Sequence, residues 1–200
     1  MAERKVQKRT IESKKKIDTA AWKLFCEKGY FNTNTKEIAK LAGISVGNFY
    51  NYYKDKMAVY YELTRQYHNG SADGVIQLGK ALEESKDKDS AIREYIRSQM
   101  ERSVNTGRFF SECQLLAQDN KKLGELYIKN TDKVIDNIEL VLKKVQGVKK
   151  RASYKVMARI LFTMVDKMSE DACLPSNKDV FDEYMQQIEE VVQSYLFGEK

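Results

Sequence analysis

Ser45, Asn48, Asn51 and Tyr52 carry hydroxyl and amide groups that point outward from one short predicted helix. Groups of this kind on a free helix face hydrogen-bond the edges of bases in a DNA major groove. Val46 starts the same helix, so Ser45, Val46, Asn48 and Asn51 are the expected base-reading set. Thr33, Tyr50, Tyr52 and Lys56 are placed to meet phosphates, which fix register without reading sequence. The sequence offers no comparable set for catalysis. It holds one histidine, His68, and three cysteines, Cys26, Cys113 and Cys173, far apart and without zinc-like spacing. There is no glycine-rich phosphate loop, and the carboxylate pairs Glu83–Glu84 and Glu189–Glu190 are helix neighbours that point different ways. An enzyme is not expected, nor is a metal or a cofactor, and the thiols are expected to be reduced and mostly buried.

Two helices and a turn must position the outward groups. Asn34 is a strong N-cap, and Glu37, three residues on, can reach back to it. Ile38, Ala39 and Leu41 give the first helix an apolar side, and Gly43 supplies the left-handed residue that ends it. Ser45 then caps a second helix over residues 46–52, with Ile44 and Phe49 pointing back into the core. A preceding helix is expected from Thr10 or Ile11 to Lys28, with Ile17, Ala21, Leu24 and Phe25 at helical spacing and Gly29 as its stop. Charge follows the same division. Residues 1–56 hold 13 Lys or Arg against 6 Asp or Glu, whereas the remainder holds 22 against 23. The basic excess lies wholly with the helix-turn-helix, as an electrostatic footprint for phosphate should.

Ile17, Ala20, Ala21, Leu24, Phe25, Gly29, Tyr30, Thr33, Ile38, Ala39, Ala42-Gly43-Ile44-Ser45, Gly47, Tyr50, Tyr53 and Lys56 together resemble the N-terminal domain of the TetR family of bacterial transcriptional regulators. The resemblance covers roughly residues 11–60. The chain has Asn48-Phe49-Tyr50-Asn51-Tyr52-Tyr53 where the family usually has Thr-Leu-Tyr-x-His-Phe, a departure that bears on the operator sequence and not on the fold. The resemblance implies an all-α protein of about nine helices. A three-helix DNA-binding domain over 1–56 is followed by a helical effector-binding and dimerisation domain over 57–200. Its implied partners are double-stranded operator DNA, a small-molecule effector and a second copy of the chain.

The remaining sequence is helical by its periodicity. A helix from Lys56 carries Gly70, Gly74 and Gly79. Each costs about 1 kcal/mol relative to Ala, so a kink or break near Gly70–Gly74 is expected. Further helices are expected from Asp89 or Ser90 to about Asn105, with a break at Thr106-Gly107, and over 109–118. Others should run from Asp119-Asn120 to about Gln146, over 151–173 and, after the loop 174–177, over 179–197. The last two carry apolar stripes wider than one core-facing side needs. These include Ile160, Met164 and Met168 on one helix, and Phe181, Tyr184, Ile188, Val191, Val192 and Tyr195 on the other. Burial on two sides of a monomer would account for them; the resemblance assigns them to a four-helix dimer interface.

Tyr60, Tyr67, Tyr95, Phe109, Phe110, Tyr127 and Phe162, with His68 and Met100, form an aromatic-rich set. Ordinary packing accounts for most of them singly. The resemblance implies that some line an effector pocket between helices, for an apolar or aromatic ligand. No apolar run approaches the ~20 residues a membrane span needs. The basic N-terminus is not followed by the apolar segment of a secretory signal, so a cytoplasmic place and no membrane partner are expected. The sequence thus reads as a ligand-responsive repressor. Two alternatives stay open: a DNA-binding protein that uses the same fold to hold a protein partner, and an enzyme of an unfamiliar helical type.

Overall fold

The apolar spacing is realised entirely as helix in a computed structural model that describes residues 2–85, 87–106, 108–172 and 174–198. Among the described residues the elements are α1 (Ala2–Lys28), α2 (Thr35–Leu41), α3 (Val46–Tyr50), α4 (Lys56–Glu84) and α5 (Lys88–Thr106). They continue with α6 (Arg108–Asp119), α7 (Lys121–Lys144), α8 (Tyr154–Ala172), a 3-10 turn (Pro175–Val180) and α9 (Phe181–Phe197). The expected break at Gly107 and the thiol of Cys173 lie outside the described residues, as do the side chains of the basic segment 1–9.

Several boundaries differ from the expected ones, each for a local reason. α1 begins at Ala2 and not near Thr10, since good helix formers without Gly or Pro fill the interval. α4 runs unbroken through its glycines. A Cβ at Gly79 would stand 2.6 Å from a Val141 methyl, so there the missing side chain serves close helix packing and not a kink. α5 is capped by Asp87, whose carboxylate accepts from the Ser90 N–H and Oγ–H at 3.0 and 2.6 Å. Arg151 does not begin α8; it donates to the carbonyls of Tyr195, Ser194 and Gly198, closing the end of α9.

The chain divides into two compact units, Met1–Tyr67 with Thr106–Glu125, and His68–Asn105 with Leu126–Lys200. The first takes in the start of α4 and all of α6, beyond the 1–56 segment. Its core joins Ile17, Phe25, Ile38 and Phe49 to Val59, Tyr60, Phe109 and Cys113, all fully buried. Three helices alone would bury too little apolar surface, and α4 and α6 supply the rest.

The second unit is built on Ile96, Met100, Ile135, Met157 and Ile188, which are inaccessible or nearly so. Ile188 (0% exposed) and Val192 (7%) are therefore monomer core, which corrects their assignment to a dimer face. Residues 185, 188, 192 and 196 form the line of α9 that faces its own unit. Val191 (42% exposed) and Ile160 (45%), with Val156 (49%), stay open. Met164, Met168, Phe181, Tyr184 and Tyr195 are half-buried against the same core.

This unit holds two groups that respond to acid in opposite senses. Burial, then the nearby Arg102, pushes His68 down to about 4 from 6.5. Burial, then Glu170, pushes Asp166 up to about 6 from 3.8. As pH falls from 6.5 to 4 the unfolded chain protonates at His68 before the folded one, and stability drops. As pH falls from 6 toward 3.8 the folded chain protonates first at Asp166, and stability rises. Asp166→Asn should leave the His68 effect unopposed, a loss of about 3 kcal/mol relative to wild type across that window, read by urea unfolding at stepped pH. His68→Gln should shift the profile the other way. Parallel profiles for the two variants would refute the pairing.

Candidate nucleic-acid interface

The helix-turn-helix is assembled by two side-chain caps and one left-handed glycine. Asn34 Oδ1 accepts from the Glu37 N–H at 3.0 Å, starting α2. Glu37 does not reach back to complete a capping box; its Oε1 meets Lys28 Nζ at 3.3 Å. Ala42 closes α2, and Gly43, at φ +68°, turns the chain through a region costly for other residues. Ser45 Oγ accepts from the Asn48 N–H at 3.1 Å, starting α3. α3 stops at Tyr50 and not Tyr52, because the N–H groups of both Tyr52 and Tyr53 turn back to the Phe49 carbonyl. Phe49 is fully buried, in edge-to-face contact with Tyr50 and tilted against Tyr53. It anchors the short helix so that its other side is free.

That free side carries most of the residues expected there. Ser45, Tyr50 and Asn51 are exposed, and Val46, Asn48 and Tyr52 are half-buried. Asn51 Nδ2 donates to Asn48 Oδ1 at 3.4 Å, which aligns the two amides side by side. The Tyr50 hydroxyl lies 3.2 Å from Thr35 Oγ1 at the start of α2.

Two of the expected phosphate contacts are corrected. Thr33 is 2% exposed, and its hydroxyl donates to the Gly29 carbonyl at 2.7 Å. Lys56 Nζ donates to the carbonyls of Tyr30 and Thr33 at 2.5 and 2.6 Å and stands 4.0 Å from the Tyr30 ring centre. Its ammonium is held below the usual lysine range by burial, with Glu112 opposing that shift. Both residues shape the turn between α1 and α2 and are not free to meet phosphate in this arrangement.

This unit also carries a shallow groove of about 590 Å³ between α1 and the end of α2, which no motif announces. Glu12, Lys15, Lys16, Thr19, Ala20 and Lys23 of α1 line it with Leu41 and Ala42. Lys16, Ala20 and Lys23, four and three residues apart on α1, are the signal of this face in the sequence.

The expected effector set is divided between the units. In the first, Tyr60 and Phe109 are fully buried core, with ring centres 4.6 Å apart and the Tyr60 hydroxyl donating to the Phe109 carbonyl. Tyr67 packs on Phe110 at 4.8 Å and on Trp22 at 5.9 Å. Met100 is fully buried in the second unit's core. Tyr60, Phe109 and Met100 are packing residues, which corrects their place in a pocket lining. His68 meets the Tyr127 ring edge-on at 5.8 Å, and Tyr95 and Phe162 are half-buried against the core. Among the described residues no cluster of His, Cys, Asp or Glu could hold a metal ion, and no helix is long and apolar enough to cross a membrane.

Comparison with known proteins places this geometry. The family model for the N-terminal domain of bacterial regulatory proteins of the tetR family matches residues 17–63. The chain is 36% identical over 94 residues to the HTH-type transcriptional regulator RutR of Escherichia coli K12, a match covering 46% of this chain and 42% of RutR. At that identity it thus spans less than half the length of the curated relative. It is 24% identical over 177 residues to an uncharacterised HTH-type transcriptional regulator of Bacillus subtilis, YdgC, covering 84% of this chain and 85% of that one. The solved structure of Salmonella enterica GusR superposes with a TM-score of 0.73 at 15% identity, over 92% of this chain and 95% of GusR.

Proposed function

We propose, from the premise that the chain belongs to the TetR family of bacterial regulatory proteins, that it is a homodimeric transcriptional repressor released from operator DNA by a small molecule. Its kin are regulators and not enzymes. The observation that carries the reading is α3 itself: a helix capped by Ser45, anchored by Phe49, and presenting Ser45, Asn48, Tyr50 and Asn51 on its free side. Hydroxyl and amide groups in that position match the donor and acceptor pattern of base edges, and Asn pairs well with adenine. A dimer sets two such helices against half-sites about 34–36 Å apart.

The effector is a small apolar or aromatic molecule held by the second unit, which contains the half-buried Tyr95 and Phe162 and the edge-on pair of Tyr127 with His68, kept neutral by burial. Such a molecule acts by binding one arrangement of the dimer more tightly than the other, and reciprocity makes operator DNA weaken it by the same factor.

The test is binding of a selected duplex followed by fluorescence anisotropy. Asn51→Ala should cost about 1–3 kcal/mol and flatten preference at one or two base pairs, with affinity for random DNA kept. Equal losses on both DNAs would contradict base reading by α3.

A further inference from the structure

The turn between α1 and α2 is held by α6, a helix far from it in sequence. Glu112 Oε2 accepts the Tyr30 N–H at 2.5 Å, across 82 residues of chain. Its carboxylate sits directly over Gly29, where any Cβ would collide with it. Gly29 also lies at φ +83°, so two independent constraints keep a side chain away from this spot. One turn earlier on α6, Arg108 Nη1 reaches the Lys28 carbonyl at 3.4 Å. The other side of the same turn is held by α4, through Lys56 on the carbonyls of Tyr30 and Thr33. Tyr30 therefore has its N–H taken by α6 and its C=O taken by α4. The segment so fixed leads straight into Asn34, the cap of α2, and through α2 to the reading helix.

We infer that Glu112 is a positioning residue for DNA reading: its carboxylate, seated on Gly29 and Tyr30, latches α6 to the turn that aims α2 and α3. The inference rests on the reading of α3 as a base-contacting helix. α6 lies wholly within the first unit, and the chain enters that unit just before it, at 105–106, and leaves it within α7, at 125–126. A hydrogen bond from a backbone N–H to an ionised carboxylate is among the stronger kinds, and losing it frees the turn.

Two physical effects of removing Glu112 have opposite signs, which makes the test sharp. Deleting a negative charge from a DNA-binding unit favours phosphate binding. Releasing the latch disfavours specific reading. In the full-length dimer, Glu112→Ala should bind a selected duplex about 10-fold more weakly, as loss of one such bond converts, while binding random DNA as well as or better than wild type. Glu112→Gln keeps an acceptor for Tyr30 and should recover part of the loss. Hydrogen exchange at the Tyr30 amide should speed up in Glu112→Ala and less in Glu112→Gln. Specific binding unchanged or tighter in Glu112→Ala, with Tyr30 exchange at the wild-type rate, would overturn the latch. A wild-type protein with no preference for any duplex would instead refute the proposed function, and Tyr30 exchange would still decide on the latch. If Glu112→Ala does not fold, Glu112→Gln carries both measurements, with a smaller loss expected and the wild-type value as the contrary result.

Discussion

Val191→Glu is expected to give a folded monomer, and Ile188→Glu, three positions away on the same helix, an unfolded second unit. Ile188 is inaccessible in the core, and a carboxylate there has no partner to offset its desolvation. The cost is about 4 kcal/mol or more, a large part of a domain's stability. Val191 is open, as are Val156 and Ile160 on α8, and these exposed apolar side chains are the candidates for a partner's approach. A charge there leaves the monomer's packing intact and disrupts a partner's approach. Circular dichroism should show helicity kept for Val191→Glu and lost in large part for Ile188→Glu, with sedimentation giving the mass of the former. Operator affinity of Val191→Glu should fall by about 10²-fold or more, since one half-site no longer helps hold the other. A Val191→Glu protein that remains dimeric would place the interface elsewhere.

Salt should act on operator affinity almost as strongly. Each phosphate neutralised by Lys or Arg releases a counterion, and several contacts per subunit imply a fall of about 10³-fold between 50 and 200 mM salt. Lys56 is the informative exception. Its ammonium is occupied by two carbonyls, so Lys56→Met should weaken specific binding by loosening the turn and leave the salt slope unchanged. A free phosphate-binding lysine would instead lower the slope by about one. A slope reduced by one in Lys56→Met would show that the side chain leaves its carbonyls on meeting DNA.

Local rules made the reading domain legible. Caps at Asn34 and Ser45, the glycine at 43 and the apolar positions 38, 39 and 49 act within one or two helical turns, and each is found where the sequence places it. What periodicity leaves open is which line of a wide apolar stripe faces inward. On α9 the line 184–191–195 (Tyr, Val, Tyr) and the line 185–188–192–196 (Met, Ile, Val, Leu) both carry large apolar side chains, and packing within the monomer buries the second more deeply. Long-range polar contacts left no trace at all. Nothing about Thr33 or Lys56 announces that the turn beside them needs a donor, and Glu112 lies too far along the chain to be paired with Tyr30 by any spacing rule. The aromatic set misled for a related reason. Composition shows that Tyr60 and Phe109 are large, whereas only the assembled core shows that they fill each other's space.

On the proposed function, α3, presented twice by a dimer, reads base pairs. Selection of bound duplexes from a random pool, followed by sequencing, tests it most directly. The expected enrichment is a two-fold symmetric site whose half-site centres lie one helical turn or a multiple of it apart, with Asn51→Ala losing information at one or two positions in each half. Enrichment of no sequence, or of one indifferent to Asn51→Ala and Ser45→Ala alike, would contradict it.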